Sequence, residues 1–116
     1  MKMKMFAIII CLFSFLPSAD AQSRQYAEGQ IAYYEGAIVD AEALSVIYKK
    51  DLAVISRQIQ DLQITMLLAD PITRVLLQGV MQSLMMEWNS TVQAIANNEQ
   101  WLTYLRGQLA MWKARL

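Results

Sequence analysis

Two apolar stripes of heptad spacing, separated by one Asp70-Pro71 step, constrain this chain more than any other feature. The first runs through Ile31, Tyr34, Ile38, Ala41, Ser45, Tyr48, Leu52, Ile55, Ile59, Leu62 and Met66. The second runs through Leu77, Met81, Leu84, Trp88, Thr91, Ile95, Asn98, Leu102, Leu105, Leu109, Trp112 and Leu116. Steps of three and four alternate in both without a slip. That spacing lays a seam along one side of a helix, and a seam needs a facing helix to cover it. Two such helices joined by a short link cover each other. The pattern therefore predicts an all-α fold: a long antiparallel, coiled-coil-like helical hairpin over residues 22–116, with helices at 23–69 and 71–115 and a turn at 70–71.

The break is chemically well defined. A residue before proline is pushed out of helical conformation, while proline suits the first turn of the next helix. The Asp70 carboxylate can accept from the free N–H groups of that turn. Two other arrangements fit the sequence less simply. Proline can kink a helix without reversing it, which gives a bent rod. A second break near Asn97-Asn98 would give three helices, although the stripe resumes beyond it.

Folding about the break brings together residues whose numbers sum to about 141. Glu28 then faces Lys113, and Glu35 faces Arg106, all on one flanking heptad position; Glu42 opposite Glu99 is the exception. The same mirror sets Tyr26, Tyr33 and Tyr34 against Trp101, Tyr104 and Trp112, so the end away from the turn should be aromatic. The turn end is aliphatic, with Ile64, Met66, Leu67, Leu68, Ile72, Val75, Leu76 and Leu77.

Residues 1–21 have the pattern of a secretory leader. Lys2 and Lys4 precede a twelve-residue apolar run, and Ala19-Asp20-Ala21 is a small-x-small cleavage pattern before Gln22. Twelve residues are too few to span a bilayer, which takes roughly 20; the alternative to cleavage is a retained anchor. Cleavage removes Cys11, the only cysteine, so the exported chain would hold together without disulfides. A periplasmic or secreted location is expected.

Eight bases and nine acids fall in residues 22–116, a net charge of −1. Such a chain offers no basic footprint for nucleic acid and no polybasic stripe for anionic lipid. Histidine is absent, and with it the commonest general base and transition-metal ligand. No phosphate-cradling glycine loop or nucleophile elbow occurs. An enzyme is not expected, and neither is a cofactor. Glu28, Glu35 and Glu42 recur every seven residues, but that places successive carboxylates about 10 Å apart along the axis, too far to share one cation. They read as a charged flank of the seam.

The interest lies off the seam. Val39, Val46, Ile47, Val54, Val80, Met85, Met86, Val92 and Met111 are apolar at positions a two-helix seam does not use. They suit a broader buried face, as in a three- or four-helix bundle completed by oligomerisation. Met85 and Met86 offer the adaptable contact that methionine provides. Tyr33 and Trp101 are aromatic and off the seam. Gly29 and Gly36, seven apart, would give either a smooth face for close approach or simple tolerance of glycine. These six residues are the candidate interface.

With its short leader, its glutamine-bearing helix around residues 58–63 and its helical second half, the chain resembles small periplasmic components of conjugative type IV secretion systems, including minor-pilin-like subunits. The resemblance implies a structural or accessory role in an envelope-spanning transfer apparatus. The expected partners are further copies of the chain, envelope proteins, or both, with peripheral membrane contact open. Two other functions fit the same features: a small membrane-active, toxin-like hairpin, and a periplasmic chaperone that clamps clients between helical arms.

Overall fold

The computed structural model describes residues 19–116. Helix α1 spans Ala19–Leu68 and helix α2 spans Pro71–Ala114. They pack side by side as an antiparallel hairpin of 83 × 25 × 15 Å. Among the described residues there is no strand and no third helix; α2 passes through Asn97 and Asn98 unbroken. The chain reverses at the proline and does not continue as a bent rod. α1 begins at Ala19, four residues before the expected start. The apolar run of the leader lies outside the described residues.

The turn is built by three side chains. Asp70 is extended (φ −68°, ψ 165°) and accepts from the Thr73 N–H at 2.8 Å, while Pro71 supplies the first helical residue. The carboxylate is held below its ordinary pKa, chiefly by that hydrogen bond. Arg74 closes the other helix. No base lies in the last turn of α1, and Arg74 reaches back to donate to the carbonyls of Met66 and Ala69, both at 3.1 Å. A cation there also suits the negative end of the α1 dipole.

All eleven residues of the first stripe are buried or half-buried, as are ten of the twelve in the second. Trp88 stands 37% exposed, with its indole N–H donating to Ser56 Oγ at 3.2 Å, and Leu116 is exposed beyond the last turn of α2. The tightest packing lies toward the aromatic end, where Ala41, Leu102 and Leu105 are buried against Tyr34, Ala37 and Ile38. Two polar residues are buried beside them. Asn98 donates to the Ala41 carbonyl at 2.8 Å, and Ser45 donates to Glu99 at 3.4 Å. A polar residue satisfied by one partner across a seam fixes register, because sliding either helix strands it.

The flanking charges pair one heptad away from the simple mirror. Arg106 meets Glu42 at 3.0 Å, Lys113 meets Glu35 at 3.9 Å, and Lys49 meets Glu99 at 4.0 Å. Glu28 with Lys113 and Glu35 with Arg106 are therefore corrected, and Glu42 and Glu99 each have a base. The cause is the tilt of every Cα–Cβ bond toward its own helix N-terminus. Side chains level with each other lean apart along the axis. Those one heptad further from the turn on α2 lean toward their α1 partners. These exposed pairs stabilise by about 0–1 kcal/mol each and chiefly select register.

The hairpin buries little. Leu105 is fully buried, and Ala27, Ala41, Ile55 and Leu102 complete the set of buried apolar residues among the described residues. The exposed surface is 8850 Å², whereas a compact monomer of the chain's 13.2 kDa would expose roughly 6400 Å².

Candidate functional site

An antiparallel helix pair has two flanks beside its seam, and here they differ. One carries the three ion pairs just described. Its shallow groove is lined by Ser56, Ile59, Gln60, Gln63, Met85, Trp88 and Asn89. The other flank is open. Leu44 and Asp51 of α1 stand there against Trp101 and Glu87 of α2, with no ion pair among the described residues. One groove on it is formed by Ala37, Asp40, Ala41, Leu44, Asn98 and Trp101. A second is formed by Asp51, Val54, Ile55, Gln58, Glu87, Ser90 and Thr91.

At the end away from the turn, the open flank is aromatic. Trp101 stacks on Tyr104 at 5.4 Å between centroids, and Tyr33 packs edge-on against Tyr34 at 5.1 Å. Burial raises the Tyr34 hydroxyl pKa above its ordinary value, and the neighbouring Tyr104 hydroxyl raises it further by charge interaction and hydrogen bonding. The four rings thus form one patch across both helices. Tyr26 lies edge-on to Trp112 at 5.5 Å, and Arg115 sits over the Trp112 ring at 4.4 Å.

The turn end is different. Ile64, Leu67, Leu68, Ile72, Val75 and Leu76 are 60–84% exposed. A two-residue link leaves only the seam positions facing inward, so every other apolar residue near it points to solvent. These six side chains make an exposed aliphatic surface at the tip.

All nine off-seam apolar residues are exposed, from Val92 at 36% to Met86 at 72%. The six candidate interface residues do not make one site. Tyr33 and Trp101 share the open flank. Met85 lines the ion-paired flank, beside Trp88. Met86, Gly29 and Gly36 lie on the outer edges, and a Cβ added at either glycine would meet nothing within 4 Å. Nothing inside the hairpin requires glycine there. The sequence reading of the candidate interface omitted the apolar tip, the Arg74 cap and the Asp51–Glu87 groove. Carrying the heptad positions across both helices assigns the last of these.

No group of three or more ligating side chains among the described residues could hold a metal ion. Glu35 and Glu42 instead pair with bases. No helix among the described residues is long and apolar enough to cross a membrane. The fold defines the chain as a coiled-coil-like helical hairpin. It matches no protein-family model, no curated protein and no solved structure.

Proposed function

We infer that this chain is a non-enzymatic, exported protein that acts by packing the outer surfaces of its hairpin against other proteins. Its role is that of a structural or accessory subunit of a bacterial secretion or conjugation apparatus. The observation that carries the reading is the exposed apolar surface: among the described residues, twenty-two large apolar side chains stay exposed around a seam with five buried apolar residues. Surface of this extent is what an assembly interface covers. The leader pattern supports a role outside the cytoplasm. The resemblance to secretion components supplies the setting.

The test is affinity capture of the tagged protein from native, detergent-solubilised envelopes, read by mass spectrometry. Recovery of secretion or pilus components in stoichiometric amount supports an apparatus subunit. A monodisperse monomer that captures no envelope protein overturns the reading.

The aliphatic tip favours a second reading, contact with a lipid surface. Six exposed aliphatic side chains at one end of a rod could enter the outer part of a bilayer. Flotation with phosphatidylcholine vesicles, lost on Leu68→Asp, would support it; no flotation would remove it.

A further inference from the structure

We propose that the open flank of the hairpin is the docking site for an amphipathic helix of another protein, one that flanks its apolar stripe with lysine or arginine. The inference rests on the protein-docking reading above and names the partner's chemistry.

The face has an apolar floor and an acidic rim. Leu44 and Trp101 line the first groove already described, Val54 lines the second, and Val80 is exposed further toward the turn. Asp40 and Asp51 line those grooves from α1, and Glu87 lines the second from α2. Asp61 continues the row toward the turn at the same heptad position as Asp40 and Val54. None of the four carboxylates has an ion-pair partner among the described residues.

Four of the chain's own bases are engaged away from this flank. Lys49, Arg106 and Lys113 close the pairs of the opposite flank. Arg74 caps α1. Lys50 and Arg57 lie on the outer edge of α1. Arg24 and Arg115 line a groove together at the far end, where Arg115 lies over Trp112, beyond the four carboxylates.

Apolar floor and acidic rim together select the occupant. A third helix laid in the groove would bury the floor with its own stripe. Its flanking positions would fall beside the carboxylates, where bases are favoured and acids rejected. A second copy placed face to face would set these four carboxylates against four more, so symmetric self-pairing through this flank is disfavoured. From Tyr33 to Leu68 the face is about 52 Å long, room for a helix of up to about 35 residues.

The experiment titrates the purified protein into two synthetic fluorescent helices of about four heptads. They share a leucine/isoleucine stripe and differ only in lysine or glutamate at the flanking positions. Anisotropy reads binding, and circular dichroism confirms that each variant stays helical. The lysine probe should bind at least about tenfold tighter than the glutamate probe. Glu87→Lys and Asp51→Lys should weaken the lysine probe and strengthen the glutamate probe. Trp101→Ala should weaken both. Glu28→Lys, an equal charge change on the other flank, should change little.

Equal binding of both probes, or equal effects of Glu87→Lys and Glu28→Lys, would overturn the assignment of this face while leaving protein docking elsewhere intact. Binding of neither probe would overturn it too, with the envelope capture deciding the broader reading separately. Self-association lost on Trp101→Ala would make the occupant a second copy. Flotation with vesicles lost on the same substitution would make it lipid. Either result contradicts the proposal.

Discussion

Leu105→Ala probes the seam at its most buried point. Leu105 is 0% exposed and packs in the cluster of Ala41, Leu102, Tyr34, Ala37 and Ile38. The substitution removes three carbons from an apolar site, a transfer loss of about 2.4 kcal/mol at ~0.8 kcal/mol per carbon. A cavity contribution adds to this where the walls do not close in. Ala37 and Ala41 are too short to reach in, while half-buried Tyr34 and Ile38 can shift. The total is therefore about 3 kcal/mol, in the lower half of the range for leucine-to-alanine changes. For a domain of this size that lowers Tm by roughly 12–24 °C. Leu76→Ala, at a site 69% exposed, should change stability by less than about 0.5 kcal/mol. The assay is thermal and urea unfolding by circular dichroism at two protein concentrations, since self-association would make Tm concentration-dependent. A loss below about 1 kcal/mol for Leu105→Ala, or equal losses at both sites, would refute the seam as the source of stability.

Asn98→Leu should leave the hairpin as stable or more so, yet broaden its population of oligomers and registers, measured by sedimentation velocity; an unchanged single species would show that Asn98 does not fix register. Gly36→Ala should raise stability by about 1 kcal/mol, because the added methyl meets open space on a helix. If Gly36→Ala also abolishes capture of envelope proteins, the glycine serves close approach; if capture is unchanged, the glycine is merely tolerated. The Asp70 carboxylate has a lowered pKa in the fold, so its contribution is present above the unfolded value near about 3.9 and fades as pH falls through the lower folded value. Asp70→Ala should therefore lower Tm at neutral pH, with the gap from the native protein narrowing below about pH 4; a constant gap across that range would contradict the cap.

The fold was legible because one physical rule governs it. Helices that meet along a single line bury every third or fourth residue, and the stripes from Ile31 to Met66 and from Leu77 to Trp112 state which ones. Asp70-Pro71 states where the chain reverses. Trp88 departs from the stripe because its indole N–H keeps the ring at the surface to reach Ser56. Pairing of the flanking charges was not legible from numbering alone, since it depends on the direction in which side chains lean. The Arg74 cap was hidden for a related reason. Its two acceptors are carbonyls of the other helix, and no side-chain pattern records a free carbonyl.

The candidate site was legible in type and not in place. Tyr33, Met85, Met86 and Trp101 are apolar and off the seam, and each is exposed. Spacing within one helix shows that a residue leaves the seam. Which flank it reaches, and what stands beside it there, depends on the other helix. The aliphatic tip illustrates the same limit. Leu67, Leu68, Ile72 and Leu76 have the composition of a core, and only the two-residue link turns them outward.

The central claim is that the open flank and the apolar tip of this hairpin are covered by protein in its working state. Site-specific photo-cross-linking in intact cells tests it most directly, with the photoreactive residue placed in turn at Trp101 on the open flank, Leu76 at the tip and Lys50 on the outer edge of α1. Discrete protein adducts at Trp101 and Leu76, and none at Lys50, are the result the account predicts. Normal accumulation of the protein with no adduct at Trp101 or Leu76 would contradict it.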